Sequence, residues 1–279
     1  MRLSISRTLT ATAIFLSVVL LVAEQPHNKT ARTFVAAPTG LSVVAHAGSG
    51  LPQGTRSNSM NAIDQAVKNG FFFIEIDFSW TSDRKIVAIH NWKDTYFNWF
   101  QISRLQRAKY GLGFSPDVPD LATFNSMSMR YDLQQAELSR IMKWLEDNPS
   151  VRIITDVKVD NLVALKEIAE RYPEMMPQVI PQIYSPDEYA PAINMGWSNL
   201  ILTTYRNKLT INEIVEFTNT HLLFALTIPL SMLSDRGYKD LVNLKTPIFI
   251  HTINFKDLAL LTQEKGFSGI YTDYFLPQI

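Results

Sequence analysis

Eight short apolar runs constrain the fold of this 279-residue chain more than any other feature. They are rich in β-branched and aromatic residues and are bounded by turn residues, so each is predicted to be a strand. Stretches with helical spacing separate most of them. Their centres lie near residues 43, 74, 154, 181, 202, 225, 250 and 271. This alternation predicts an α/β fold, a closed (β/α)8 TIM barrel. An open doubly wound sheet is the alternative, but HAGSGLPQG after the first run lacks the glycine spacing of a nucleotide-binding turn.

A ninth apolar run, residues 86–89, does not fit the parallel pattern. Only eight residues separate Asp77 from Ile86. A parallel crossover needs about a dozen residues or more, so this run is predicted to return antiparallel, as a hairpin-like excursion after the second strand. Residues 91–120 are predicted to form a long loop with little helix, and residues 133–147 an amphipathic helix.

Charge and cysteine content exclude several functions. The chain has 26 basic and 26 acidic residues, whereas a nucleic-acid-binding protein usually carries a basic excess. Cysteine is absent, which rules out a disulfide, a thiolate metal site and a cysteine nucleophile.

The N-terminus differs from the rest of the chain. Arg2 and Arg7 precede an uncharged, largely apolar stretch over residues 8–23, the arrangement of a secretory signal. This stretch is shorter than the ~20 residues of a comfortable transmembrane helix. We therefore expect residues 1–23 to be a signal peptide or N-terminal anchor, 24–40 a linker and 41–279 the barrel domain. The protein is expected to be exported to the periplasm or outside the cell, or to stay membrane-anchored if the segment is not cleaved.

Polar residues capable of catalysis follow the first three predicted strands and the excursion. In a (β/α)8 barrel the carboxyl ends of the strands form the active-site rim. The residues that converge there are His46, Glu75, Asp77, His90, Asp156 and Lys158. Because strand side chains alternate, Glu75 and Asp77 share one face, where two carboxylates are costly unless a cation neutralises them. The alternative interpretation of this pair is a solvated strand end.

The residue types in this set indicate phosphodiester cleavage. Three carboxylates, Glu75, Asp77 and Asp156, suit one hard divalent cation, Mg²⁺ or Ca²⁺, better than Zn²⁺. Two histidines that titrate near neutrality can divide the work of general base and general acid. A lysine beside a dication suits an anionic substrate group. Glycoside hydrolysis fits less well because it needs no metal.

Three further residues are weaker candidates. His251 is expected to face the rim and to contact substrate. Asp273 ends the last strand and is either a group that supports the site or a cap. His221 opens a strand and is expected to be structural.

Short motifs in a fixed order resemble those of the glycerophosphodiester phosphodiesterase family, within the superfamily that includes phosphatidylinositol-specific phospholipase C. They are His46-Ala47-Gly48, Asn58, Glu75-Ile76-Asp77, Thr81-Ser82-Asp83, His90-Asn91, Asp156-Val157-Lys158, Thr252-Ile253-Asn254 and Gly269-Ile270-Tyr271-Thr272-Asp273. The resemblance implies metal-dependent hydrolysis of a glycerophosphodiester or phospholipid-type phosphodiester.

The same resemblance implies roles for individual residues. It makes His46 and His90 the general base and acid, and Lys158 and Asn58 substrate-binding residues. The expected partner is a small phosphodiester or a lipid headgroup, with contact to a membrane surface left open. No nucleic acid or protein partner is expected.

Four positions depart from the family pattern. Ala47 replaces an arginine expected to contact phosphate, Ser57 replaces the neighbouring glutamate, and Arg56 is the cation that could substitute. His251 stands where the family usually has tryptophan. Asp156 stands where the family has glutamate, which is similar to sphingomyelinase D. The alternatives are therefore a sphingomyelinase D-like lipid phosphodiesterase, or a non-catalytic barrel that binds a headgroup or glycan.

Overall fold

A computed structural model describes residues 35–36, 40–234 and 238–277 of the chain. The predicted signal or anchor segment and most of the predicted linker lie outside these residues. Within the described ranges, no helix is long and apolar enough to cross a membrane.

Eleven strands are described. They are β1 (Val35–Ala36), β2 (Ser42–Ala45), β3 (Phe73–Trp80), β4 (Ile86–Ala88), β5 (Arg152–Val157), β6 (Val179–Ile183), β7 (Ile201–Thr203), β8 (Ala225–Pro229), β9 (Ile248–His251), β10 (Gly269–Thr272) and β11 (Phe275–Leu276). Eight of them, β2, β3 and β5 to β10, pair in parallel, and β2 pairs with both β10 and β3. This closure confirms the predicted eight-stranded barrel.

The α-helices follow the strands as expected for this fold. They are α1 (Met60–Lys68), α2 (Asp94–Trp99), α3 (Arg104–Gly111), α4 (Leu121–Ser126), α5 (Leu138–Glu146), α6 (Asn161–Arg171), α7 (Tyr189–Asn194), α8 (Ile211–Thr220), α9 (Tyr238–Leu241) and α10 (Lys256–Glu264). Short 3-10 helices cover His46–Gly48, Arg130–Asp132, Pro173–Gln178, Pro186–Glu188 and Leu230–Ser234.

The strands divide the apolar residues between two layers. Val44 and Ile154 belong to the cluster inside the barrel, whereas their neighbours Val43 and Ile153 belong to the layer between strands and helices. This is the two-residue alternation of a strand. Glu75 is the register partner of Ile154, so its side chain shares the interior side. The alternation thus directs carboxylates into the barrel mouth.

The excursion after β3 runs antiparallel, as predicted. Phe78 pairs with Ala88 and Trp80 with Ile86. Residues 91–120 contain more helix than predicted, because α2 and α3 both lie there. The helix predicted over residues 133–147 begins only at Leu138. The preceding residues are extended, with the carbonyl of Ala136 accepting the N–H of Ala88 at 2.8 Å.

Candidate active site

Adjacent barrel strands bring the three carboxylates together. Asp77 on β3 and Asp156 on β5 are direct register partners, and Glu75 lies two residues before Asp77 on the same face. All three are buried, and one oxygen of each lies within 4.8 Å of the others. The register of β3 against β5 therefore determines this acidic cluster.

The loop after β2 holds Glu75 through the backbone. The N–H of Ala47 donates to Oε2 of Glu75 at 2.8 Å, with Ala47 in the left-handed region at φ 49°. Gly48 follows at φ 83°, where a Cβ would lie 3.0 Å from that of Ala62. Glycine is therefore needed for the turn to pass close to α1 and to aim this N–H at the carboxylate.

Asn58 uses its whole amide to fix Asp77. Its Nδ2 donates to Oδ2 of Asp77 at 3.1 Å, and its Oδ1 accepts the N–H of Asp77 at 3.0 Å. Contact of Asn58 with substrate stays a prediction, because both of its polar groups are directed at the second carboxylate.

Lys158 bridges two of the carboxylates. Its Nζ lies 2.6 Å from Oδ1 of Asp77 and 2.9 Å from Oδ2 of Asp156. Two tyrosine hydroxyls also donate to Asp156: that of Tyr184, and that of Tyr205 at 3.0 Å. The sequence suggests three repelling charges and one lysine, but in the structure each carboxylate has its own donors.

His46 is fixed by a carboxylate from the last barrel strand. Its Nδ1 lies 2.8 Å from Oδ1 of Asp273, and its Nε2 lies 4.0 Å from Oε2 of Glu75. Asn254 and Arg56 contact the other oxygen of Asp273, at 2.7 Å and 3.3 Å. Since β10 pairs with β2, barrel closure is what brings Asp273 beside His46.

His90 returns to the level of the carboxylates through the antiparallel excursion. It lies two residues beyond Ala88, which is opposite Phe78, one residue after Asp77. Its ring is exposed, and its Nδ1 is 2.8 Å from Nδ2 of Asn91.

His251 lies at the same rim but packs against tyrosines. Its ring centroid is 5.4 Å from that of Tyr205 and 6.4 Å from that of Tyr271. Its Nε2 is buried and has no hydrogen-bond partner among the described residues. Burial, with the nearby charge of His46, lowers the pKa of His251 to about 4. A role in substrate binding stays a prediction.

Burial and neighbouring charges shift the pKa values of several groups in the site. Burial and the charge of Asp77 raise the pKa of Glu75 to about 8. Burial also opposes ionisation of Asp77, but Lys158 outweighs it and lowers the pKa of that carboxyl. Burial alone would lower the pKa of His46, yet Asp273 and Glu75 raise it to about 9.

This donor set fits a divalent cation. It consists of three hard oxygen ligands in a buried cluster, the kind that Mg²⁺ and Ca²⁺ prefer. Burial and the charge of the neighbouring Asp77 both oppose ionisation of Glu75, and a positive charge bound at the cluster would favour its carboxylate form. The buried acidic triad can therefore hold one divalent cation.

Two of the groups that support the site have no signal in the sequence. Tyr184 and Tyr205 are 28 and 49 residues from Asp156 and belong to no predicted motif. Asp273 was recognised as a strand end, but its partner was not. For Asp273, the available signal is barrel closure, which pairs the first and last barrel strands, β2 and β10.

We predict that Asp273→Asn destabilises the metal-free protein in a pH-dependent way. His46 has a pKa of about 9 in the folded protein against an ordinary histidine pKa of 6.5, so its contribution is complete below about pH 6.5 and is lost as the pH rises through 9. Urea unfolding should show a loss of about 3 kcal/mol at pH 6 and a smaller loss at pH 10. Asp160→Asn, in an exposed ion pair with Arg84, should cost about 0.5 kcal/mol or less. Equal losses for Asp273→Asn at both pH values would contradict the pairing.

Comparison with known proteins identifies the family. The sequence model of the Glycerophosphoryl diester phosphodiesterase family matches residues 46–218, more than half of the chain. Among curated proteins, none matches the chain.

Solved structures share the fold at low sequence identity. A glycerophosphodiester phosphodiesterase from Parabacteroides distasonis is 16% identical with a TM-score of 0.62, over 84% of this chain and 93% of its own. One from Thermotoga maritima is 16% identical with a TM-score of 0.59, over 84% and 95%. An Oleispira antarctica phosphodiesterase, solved with the product sn-glycerol-3-phosphate, is 14% identical with a TM-score of 0.58, over 85% and 94%. With the family match over the segment that carries both histidines and all three carboxylates, the chain belongs to the glycerophosphoryl diester phosphodiesterase family and is a phosphoric diester hydrolase.

Proposed function

We propose that this protein hydrolyses a glycerophosphodiester or a phospholipid-type phosphodiester with one divalent cation and two histidines. The observation that carries the proposal is the buried triad of Glu75, Asp77 and Asp156 at the same rim as His46 and His90. A non-catalytic barrel would have no need for a histidine held by a buried carboxylate next to such a triad.

Glu75, Asp77 and Asp156 would hold the cation, either Mg²⁺ or Ca²⁺. When bound, it would supply positive charge to stabilise the negative charge that develops on the phosphoryl oxygens. Asn58, Lys158 and the N–H of Ala47 orient the three carboxylates, as supporting groups of a metal site usually do.

Hydrogen bonding assigns different roles to the two histidines. A carboxylate only accepts, so Nδ1–H of His46 donates to Asp273, and in the neutral ring Nε2 is left as the base. The amide Nδ2 of Asn91 donates to Nδ1 of His90, so in the neutral ring the proton is on Nε2. The pKa of about 9 belongs to the metal-free site; positive charge at the triad would lower it, and the neutral ring of His46 then takes a proton from the attacking water or substrate hydroxyl. His90 gives a proton to the departing alkoxide.

Arg56 supplies the positive charge that the family pattern places at the position of Ala47. The Ala47 side chain is fully buried and uncharged, whereas the Arg56 side chain is 54% exposed. Its Nη2 lies 3.3 Å from Asp273, which also binds His46. The planar guanidinium keeps donors available for a phosphate oxygen beside the base.

The substrate alcohol has room beside the triad. An open cleft of about 660 Å³ begins at Lys158 and is lined by Asn161, Tyr184, Arg206 and Asn207 among others. The product sn-glycerol-3-phosphate in the Oleispira antarctica structure supports a glycerol phosphate ester as the first substrate to test. Sphingomyelin and lysophosphatidylcholine in the same assay test the sphingomyelinase D-like alternative.

Each histidine variant should be severely impaired. We expect His46→Ala and His90→Ala each to lower turnover of glycerophosphocholine about 10²–10⁴-fold, the usual contribution of general acid–base catalysis. The double variant should lose clearly less than the product of the two effects, because the residues act in one reaction. His221→Ala is the control, since that ring stacks on Phe217 at 4.1 Å, away from the rim. Near-wild-type turnover in either site variant would reject the mechanism.

The cation should stabilise the fold as well as permit activity. At about 100 times its Kd, Mg²⁺ or Ca²⁺ should raise the stability by about 2.7 kcal/mol, or roughly 5–10 °C in Tm. Chelation should reverse the shift and abolish activity. In Asp156→Asn the shift should shrink because a ligand is lost, while Asp147→Asn, at the end of α5, should keep it. If saturating metal changes neither the Tm nor the activity of the wild-type protein, the triad is not a metal site.

Arg56 should matter for phosphate binding. We expect Arg56→Gln to lower kcat/KM about 10–100-fold, the usual worth of a hydrogen bond to a charged group, and to weaken inhibition by inorganic phosphate. Arg56→Lys should restore part of both. Arg171→Gln, in an exposed ion pair with Glu167, should change neither. Unchanged kcat/KM and unchanged phosphate inhibition in Arg56→Gln would remove Arg56 from the site.

A further inference from the structure

The segment Ser103–Val118, which contains α3, exposes large apolar side chains that belong to no hydrophobic cluster of the described chain. Leu105 is 67% exposed, Leu112 77% and Phe114 62%. They are close in sequence and lie outside all the hydrophobic clusters of the barrel. Large exposed apolar side chains grouped in one short segment are a feature of interaction surfaces.

Backbone contacts fix the two ends of this segment to the barrel. The N–H of Gln101 donates to Ser128 at 2.8 Å, and the N–H of Ser82 donates to the carbonyl of Pro119 at 2.9 Å. Between these points, the hydrogen bonds of the described atoms of residues 103–118 stay within the segment. The segment therefore projects from two firm attachments.

The same segment is basic. Arg104, Arg107 and Lys109 are exposed, and none forms an ion pair within the described residues. The first acidic residue is Asp117, near the far end. On a chain with 26 basic and 26 acidic residues, this is a local cationic cluster and not a general trend.

Helical geometry places apolar and basic groups side by side on α3. Leu105 lies in the helix and Leu112 directly follows its last residue, with the N–H of Leu112 still donating to the carbonyl of Ala108 at 3.1 Å, so their seven-residue spacing places them on one side of the axis together with Lys109. Arg104 lies on a neighbouring side, and Arg107 is about 160° from Leu105, toward the opposite side. Apolar side chains beside long basic ones are typical of a helix that lies in the headgroup region of a bilayer.

We propose that Ser103–Val118 is a docking surface for an anionic lipid bilayer. Charge favours this occupant over a second copy of the chain, because a two-fold contact would place like-charged segments against each other. Near an anionic surface each basic residue strengthens partition about fivefold. Leu105, Leu112 and Phe114 add apolar contact that a purely electrostatic site would lack.

The position of the segment suits this use. It belongs to the excursion that also carries His90, and it attaches at the β3–β4 turn, beyond the rim where the carboxylates lie. A bilayer bound there faces the mouth of the site. The inference extends the proposed function, since it would bring the site to the surface where phospholipid-type substrates reside.

A local probe tests docking without interference from the apolar N-terminal stretch. The chain has no cysteine, so Ser115→Cys in the full chain accepts a single environment-sensitive fluorophore. Phosphatidylglycerol vesicles at low salt should shift its emission to the blue, while phosphatidylcholine vesicles should not. The same label at Leu222→Cys is the control, because Leu222 is 87% exposed but precedes β8, at the opposite end of the barrel. No shift at position 115, or an equal shift at both positions, would overturn the proposal.

Matched variants separate the apolar and the basic contributions. Leu112→Ser/Phe114→Ser and Arg104→Gln/Arg107→Gln should each weaken binding to phosphatidylglycerol vesicles at least tenfold in the titration of the labelled protein. Leu222→Ser and Lys68→Gln/Lys245→Gln, all before strands at the far end, should not. Binding that survives both segment variants overturns the proposal. A second outcome also overturns it: the protein self-associates in sedimentation velocity, these variants abolish that self-association, and vesicles do not change the emission of the label.

Activity on a soluble substrate distinguishes this surface from the site. Leu112→Ser/Phe114→Ser should hydrolyse glycerophosphocholine at the wild-type rate and lose vesicle binding alone. If no variant hydrolyses any phosphodiester, the proposed function fails, while the vesicle titration still decides the docking surface. Loss of soluble-substrate turnover in this variant would instead make the segment part of the site and overturn a separate docking role.

Discussion

The buried acidic cluster is the constraint on which the rest of the site depends. Three carboxylates inside a barrel mouth are tolerated only when donors and positive charge surround them. Lys158 bridges two of them, Asn58 and two tyrosines donate to the other oxygens of Asp77 and Asp156, and the N–H of Ala47 donates to one oxygen of Glu75. Much of the polar architecture of this rim can be understood as compensation for burying Glu75, Asp77 and Asp156.

Strands and loops divide the work of building the site. The β3–β5 register gives the carboxylates their spacing, which rigid neighbouring strands maintain better than loops do. The histidines come from the connections, and each is then restrained by a polar neighbour, Asp273 or Asn91. The rigid part of the site is thus suited to holding charge, and the connections are suited to moving protons.

The sequence was sufficient for the barrel and for the acidic cluster, for a physical reason. Strand alternation and the short gap before Ile86 are local properties, and they determine which side chains face the mouth. The partner of His46 was not predictable in the same way, because Asp273 is 227 residues away and reaches it only through barrel closure. Similarly, α3 lacks an apolar face packed on the core, so the pattern that marks most helices is weak there.

The attachments of the segment Ser103–Val118 have a consequence for how such enzymes diversify. Both ends are held by main-chain hydrogen bonds, which do not depend on the side chains between them. The intervening residues are therefore free to change without disturbing the register that spaces the carboxylates. This stretch can therefore be replaced during evolution without changing the active site. The chemistry of bond cleavage and the place in the cell where it occurs can then evolve independently.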